Sequence, residues 1–306
     1  MGLETHLWRY LMDLDSFIIT VFCLVDDATK EILQGRRLRQ RGPDPTMADS
    51  EVVTIEVVGE YLGLSQDQAI YRYFRRHYSH FFPALKRVHR TTFVRQATNL
   101  WKMKERLWQH LLKRITYDPN FALVDSFPIP VCQFARAYRC RRFKGEAAFG
   151  KDTLARQTFY GFRVHVRLCW PGVITRIALA PANIHETVVV PDLTAGTRGL
   201  LVGDRNYWNP SLREELLSND IYLQAPFRSA SRDPWPTRSA LLSRIRYRID
   251  TVFGQLVDRY QAKRVWAKDS WHFHSRLLRK VLSHTLSLLI TQDQGNPPLQ
   301  ISRLVT

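Results

Sequence analysis

The sequence predicts an all-helical N-terminal domain followed by an α/β domain whose mixed sheet is flanked by helices. Three observations carry this. Apolar residues recur at helical spacing through roughly the first 115 residues of a 306-residue chain. After the turn signal YDPN, short strand-like runs alternate with helical segments. One of these runs, GFRVHVRLCW, doubles back through WPGV into VITRIALA. That is a hairpin, so an antiparallel pair sits in a sheet whose other strands are joined through helices.

The N-terminal elements follow in order. SFIITVFCLV, Ser16 to Val25, is the longest apolar run and is too short to span a bilayer. Asp13, Asp15, Asp26 and Asp27 flank it, the wrong charge for a signal peptide. It reads as a core helix or strand. In MADSEVVTIEVVGEYLGL, Asp49 or Ser50 caps a helix that places Val53, Val57, Val58 and Tyr61 on one side and stops at Gly63. Ser65 opens SQDQAIYRYF, with Gln68 completing a capping box. Two helices joined by a short turn allow a helix-turn-helix module, and packing alone explains the same pattern. A third helix runs from near Thr92 toward Ile115, with Ala97, Leu100, Trp101, Leu107 and Leu111 on one face.

The second half is justified in the same way. FALVDS is a buried strand closing on Asp125. Residues 127–158 form a basic, aromatic-laced insert. In the hairpin, Phe162, Val164, Val166 and Leu168 alternate with Arg163, His165 and Arg167, the signature of a half-buried strand. PANIHETVVVPDL is a turn and a short helix. LLVGDRNY is a strand closing on Asp204, PSLREELLSN a helix, and IYLQAP another strand. Leu242, Ile245, Ile249, Val252, Phe253, Leu256 and Tyr260 make an amphipathic helix of LLSRIRYRIDTVFGQLVDRY. A last helix covers about Phe273 to Ile290. The expected division is a helical domain at 1–116, which could bind DNA, an α/β domain at 117–292 and a loose tail at 293–306.

Composition narrows the function. The net charge is +17, and of 45 basic residues 35 are Arg and 10 are Lys. Guanidinium groups bind phosphate bidentately and stack on bases, so the bias favours nucleic acid as partner over a merely soluble basic surface. Arg136, Arg139, Arg141, Arg142 and Lys144 of the insert, with Arg246 and Arg248, are candidate phosphate contacts. Tyr138 and Phe143 could stack on unpaired bases or pack the insert onto the core. No two of Cys23, Cys132, Cys140 and Cys169 form a C-x-x-C pair, so neither zinc nor a disulfide framework is indicated. A reduced, cytoplasmic, nucleoid-associated location without membrane contact is expected.

Two strand-like runs that each close on an aspartate suggest two carboxylates at one sheet edge. Asp125 and Asp204 are 79 residues apart (204 − 125), so only tertiary structure brings them together. On parallel neighbours both would emerge at the carboxyl end of the strands, where α/β sites form. Paired carboxylates repel unless a cation neutralises them, and oxygen-only ligands suit Mg²⁺ or Mn²⁺. Asp250, beside the apolar stripe of the amphipathic helix, is the candidate third ligand. Each strand-end aspartate alone also fits a helix cap or a turn, and Asp250 alone fits an i,i+4 partner of Arg246. His165, His185 and Asn183 are secondary candidates.

The stretches LVDSFPIP, FYGFRVH, LAPANIHE, LVGDRNY and RYRIDTVFGQL, in this order, resemble the bacterial insertion-sequence transposases with a DDE triad. These belong to the transposase/retroviral-integrase group with a ribonuclease-H-like core, and the resemblance covers nearly the whole chain. It implies a ribonuclease-H-like sheet, two Mg²⁺ ions held by Asp125, Asp204 and Asp250, and metal-dependent cleavage and joining of double-stranded DNA at element ends and target. It also implies at least a dimer on DNA. Asp250 stands where the family's glutamate is expected, and RIDTVFGQL replaces R-I-E-T-x-F; Glu214 and Glu215 lie on the wrong helix to substitute. Three alternatives fit: a catalytically impaired DNA-binding descendant, a ribonuclease-H-like nuclease without joining activity, and a phosphatase with a strand-end aspartate nucleophile. The last lacks the aspartate expected two residues on, where Phe127 stands.

Overall fold

The computed structural model describes residues 12–152 and 155–305. Residues 1–11, 153, 154 and 306, which the expected domain limits include, lie outside the described residues. The chain divides into two compact units. One comprises the chain up to Ile115 with Arg259–Gln261 and the stretch from Ser270 onward; the other comprises Thr116–Asp258 and Ala262–Asp269.

The helical unit begins with α1 (Leu14–Leu33), which settles the reading of the apolar run as helix. Asp13 caps it by accepting from the Ser16 N–H at 2.7 Å, and Phe17, Ile18, Val21, Leu24, Val25 and Ala28 are buried at helical spacing. In α2 (Asp49–Tyr61) every residue from Val52 to Tyr61 is buried, so α2 is a core helix on all sides. It is followed by α3 (Asp67–His77), which buries Ile70, Tyr71 and Phe74. The single third helix expected from the sequence is two, α4 (Arg90–Asn99) and α5 (Trp101–Leu112). Buried Leu100 at φ −83°, ψ 10° leaves helical geometry between them and divides the stretch into two axes.

The second unit is built on one six-stranded sheet: β1 (Asp118–Pro130), β2 (Ala148–Asp152), β3 (Gln157–Trp170), β4 (Val173–Pro181), β5 (Gly199–Val202) and β6 (Ile221–Gln224). The order is β2-β3-β1-β5-β6, with β4 also on β3. One edge of β3 pairs with β1; the other pairs with β2 over Gln157–Gly161 and then with β4 over Phe162–Cys169. β1 to β5 and β5 to β6 are parallel. This is the ribonuclease-H-like mixed sheet that the resemblance implied. Helices α6 (Glu186–Thr194) and α7 (Pro210–Leu217) supply Val189, Val190, Leu193, Leu212 and Leu216 to a core with Ala122, Val124 and Leu201. Helix α8 (Pro236–Asp258) packs on β1, where Phe253 meets Phe127 edge-on at 5.0 Å.

Two details differ from the sequence reading. The first strand does not end at Asp125 but runs on to Pro130, because β3 keeps pairing with it from Ser126↔His165 to Pro130↔Gly161. The insert at 127–158 is correspondingly shorter: its start belongs to β1, and β2 occupies part of its end.

The last helix, α9 (Ser270–Asp293), belongs to the helical unit and not to the catalytic stretch in which the sequence reading placed it. The reason is electrostatic as well as apolar. Arg279 and Lys280 of α9 are both 1% exposed. Arg279 pairs with Glu60, Glu56 and Asp67, and Lys280 with Glu60 at 2.6 Å. Lys104 of α5 closes the network on Glu56. Burial pulls both lysines below their ordinary range while their carboxylate partners pull the other way. Removing either partner alone would strand a charge in the core. The stretch expected as a loose tail is also tied down. Ile301 and Leu304 are buried, and the Tyr61 hydroxyl donates to the Ile301 carbonyl at 3.0 Å.

Candidate active site

The register of the sheet brings the two aspartates to one level. β1 and β5 pair in parallel up to Leu123↔Val202. Asp125 is two residues past Leu123 and Asp204 two residues past Val202. Both therefore stand at the same height, just past the end of β5, Asp204 beyond its strand and Asp125 on the part of β1 that continues against β3 alone. The two carboxylates sense each other: the Asp204 charge raises the proton affinity of Asp125.

Asp125 is 15% exposed at its side chain, and Arg246 of α8 donates to its Oδ2 at 2.6 Å. The Ser126 N–H donates to its Oδ1 at 2.8 Å. These two pull the carboxyl down, but burial outweighs them, and with Glu186 and Asp204 pushing the same way it rises to about 7. Asp204 caps the short 3-10 turn Arg205–Tyr207. Its Oδ1 accepts from the Asn206 N–H at 2.8 Å and its Oδ2 from the Asn206 amide at 3.0 Å.

Four further side chains that sequence reasoning passed over complete the centre. The Ser126 hydroxyl donates to Glu186 Oε1 at 2.6 Å, and Arg163 reaches both Ser126 Oγ at 3.0 Å and the Glu186 carboxylate at 3.5 Å. Tyr207 is fully buried, and its hydroxyl is held well above the usual phenol range by burial and by the charges of Glu186, Asp125 and Asp204. The Tyr207 hydroxyl, Glu186 Oε2 and Arg246 Nε are buried without hydrogen-bond partners. Buried polar atoms without partners are uncommon, and three of them gather around Asp125 here. Gly203 makes room for the Tyr207 ring: a Cβ there would lie 2.6 Å from it. Glu186 closes the stretch LAPANIHE, so a sequence signal existed; only its neighbours Asn183 and His185 drew attention.

The other expected site residues fall in different places. Asp250 is exposed on α8, one turn past Arg246 and about 6 Å further along the axis. No cation among the described residues pairs with it, and Arg246 serves Asp125 instead. Arg248 lies over the Trp170 ring at 4.9 Å. Arg136, Arg139, Arg141 and Arg142 line a cleft of about 730 Å³ with Cys132, Cys140 and Trp266; Lys144 is exposed nearby in the chain. Phe143 is buried, edge-on to Phe162 at 5.3 Å, whereas Tyr138 is 84% exposed. His185 caps α6 by accepting from the Thr187 N–H, and Asn183 is exposed. His165 is fully buried, both ring nitrogens lack partners, and burial pushes its pKa down to about 4, so it is a neutral core residue near neutrality.

Among the described residues no group of three or more His, Cys, Asp or Glu side chains is assembled around a metal position. The donor chemistry nonetheless suits a hard divalent cation. Asp125 and Asp204 offer oxygen only, Asp125 is undercompensated by its arginine, and the buried Tyr207 hydroxyl and Glu186 Oε2 are unengaged.

Residues 117–265, which hold all three aspartates, match the family described as Transposase DDE domain. The matched segment, 149 of the 306 residues, is similar to a transposase DDE domain. No curated protein matches the chain. Among solved structures, the fold is similar to that of piggyBac transposase in the cryo-EM structure of its synaptic complex with hairpin DNA. The TM-score is 0.50 at 11% sequence identity, over 98% of this chain and 80% of that one. No helix among the described residues is long and apolar enough to cross a membrane.

Proposed function

We propose that this transposase cleaves DNA strands at the ends of a mobile element and joins them to a target, in a reaction dependent on Mg²⁺ or Mn²⁺. The observation that carries the reading is the common register level of Asp125 and Asp204 on adjacent parallel strands of a DDE domain. Asp125 and Asp204 would hold the cation, with Asp250 as third ligand once α8 or its DNA partner brings it in. When bound, a divalent cation activates water or a 3′-hydroxyl for in-line attack and stabilises the leaving oxygen.

The chain's own groups do the rest. Arg246, which donates to Asp125, could instead donate to a phosphate if the Asp125 carboxylate were engaged by a cation. Arg163 and Ser126 hold Glu186 in place, where its carboxylate would add negative charge on the α6 side of a cation held by Asp125 and Asp204. The arginine-lined cleft of the insert and Arg248 would grip backbone phosphates and set the strand's direction. No covalent protein intermediate is required.

A second reading, a DNA-binding descendant with impaired cleavage, is favoured by one observation: Asp250 is shorter than the family's glutamate and exposed. Cleavage of labelled element-end DNA in Mg²⁺ or Mn²⁺ separates the two, with wild type beside Asp125→Asn, Asp250→Ala and Asp250→Glu. A transposase cleaves as wild type and fails as Asp125→Asn. Wild type that is inert while Asp250→Glu cuts identifies the impaired descendant. Equal activity of wild type and Asp250→Ala removes Asp250 from the ligand set.

A further inference from the structure

The helical unit carries a groove that the catalytic centre does not explain. From Gln68 to Lys104 the chain has no acidic residue and nine Lys or Arg. Within this stretch, Gln68, Tyr71, Arg72, Arg75 and Arg76 of α3 face His89 and Arg90 at the start of α4 across a groove of about 500 Å³. Arg72, Arg75, Arg76 and Arg90 are exposed, and no carboxylate among the described residues pairs with any of them. Four uncompensated guanidinium groups around one concavity repel one another. An ordinary solvated face would interleave acids.

Two details show that the groove is built. Arg75 donates to the Tyr71 hydroxyl at 3.0 Å and lies over the Tyr71 ring, while that hydroxyl donates to the Val88 carbonyl at 2.8 Å. A charge is thus fixed in place on a buried tyrosine. Arg90 is the first residue of α4, and the first turn of that helix has no acid. A cation at the positive end of a helix is the wrong sign for helix stability and the right sign for receiving an anion.

We infer that this groove binds the sugar–phosphate backbone of DNA and does not read bases. Base edges lie on the floor of the DNA grooves and are reached by a projecting helix or ribbon. A concavity lined by guanidinium forks fits the opposite shape, the phosphate ridge. The helix-turn-helix reading allowed by the sequence is replaced here by a backbone clamp formed by α3 and the start of α4. The inference rests on the chain acting on DNA, and adds a contact independent of residues 117–265.

The test uses the full chain and fluorescence anisotropy with random-sequence and element-end duplexes, titrated from about 50 to about 300 mM salt. The variants are Arg72→Gln/Arg76→Gln/Arg90→Gln in the groove and Arg136→Gln/Arg139→Gln/Arg141→Gln/Arg142→Gln in the catalytic insert. Arg75 is left alone because it is tied to Tyr71. All substituted side chains are exposed, and a thermal melt confirms the fold. Three lost phosphate contacts should lower the slope of log K against log salt by about 2.7, equally on both duplexes. An unchanged slope in the groove variant, with a reduced slope in the insert variant, overturns the groove and leaves the proposed function standing. A loss confined to element-end DNA overturns the backbone assignment in favour of base reading. Failure of wild type to bind either duplex removes both readings.

Discussion

Asp125→Asn should stabilise this protein at alkaline pH. Burial holds the Asp125 carboxyl at about 7, against about 3.9 in an unfolded chain. The folded pKa is the higher one, so between those values the native state binds more protons than the unfolded state. Stability is therefore lost as pH rises from about 4 to about 7 and stays low above. Relative to a neutral side chain, the ionisable group costs about 1.5 kcal/mol at pH 5 and about 4 kcal/mol at pH 8. Asparagine removes this dependence. It also leaves Arg246 without a charged partner, but that loss is the same at every pH and moves the curve without tilting it. The gap between variant and wild type should thus widen by about 2.5 kcal/mol from pH 5 to pH 8, roughly 4 °C in melting temperature for a chain of this size. Thermal melts followed by circular dichroism in chelator read it directly. Adding Mg²⁺ at pH 8 should raise wild type and leave Asp125→Asn unmoved. Parallel curves from pH 5 to pH 8 would show that Arg246 fully compensates the carboxylate, and the case for a vacant cation role at Asp125 would go with it.

Other expectations concern separate parts of the molecule. His165 is the opposite case: burial holds it at about 4 against about 6.5 unfolded, so it contributes about 3 kcal/mol at neutrality that is lost as pH falls through that window. His165→Leu should lose less stability than wild type from pH 6.5 to 4 in urea titrations, and equal losses would refute the assignment. Glu60→Ala takes from Lys280 its carboxylate and from Arg279 one of three, and should cost about 3 to 5 kcal/mol, on the order expected for a broken buried pair, read as a lowered urea midpoint. Gly203→Ala forces a methyl to within 2.6 Å of the Tyr207 ring and should destabilise by about 1 to 3 kcal/mol. Its DNA cleavage should fall more than that of an exposed control such as Ser211→Ala. Glu186→Gln keeps the Ser126 contact but removes a charge, and should weaken Mn²⁺ binding by calorimetry without lowering the melting temperature.

Local pattern carried far in this chain. The hairpin of β3 and β4 followed from the WPGV turn between two strand-like runs, but β3, expected to be half-buried from its alternation, is buried on both faces, His165 and Arg167 included; the two strand-closing aspartates were visible because a carboxylate after an apolar run is costly. α7 was announced by Pro210 and Ser211 at its start, with Asn209 proving to be its cap, and β6 by its short apolar run. What escaped depended on partners far away in sequence. Nothing near Leu100 signals that one helix becomes two. β1 outruns Asp125 only because β3 is longer than β5. Arg246 looked like a phosphate ligand or an i,i+4 partner of Asp250, and its bond to Asp125 spans 121 residues. Ser126, Arg163, Glu186 and Tyr207 are ordinary residues in isolation. Only the sheet and α6 assemble them, and the unpartnered atoms among them are invisible until the core is closed.

The salt-linked core of the helical unit has a bearing on how the polypeptide is made. Glu56 and Glu60 emerge from the ribosome early, whereas Arg279 and Lys280 follow more than two hundred residues later. Until α9 has been synthesised, these glutamates have no arginine to close upon, and the N-terminal helices wait incomplete. Residues 116–258 meet no such delay and can settle as they appear. A ribosome that stalls before codon 270 would release a chain in which Glu60 has neither of its two cationic partners.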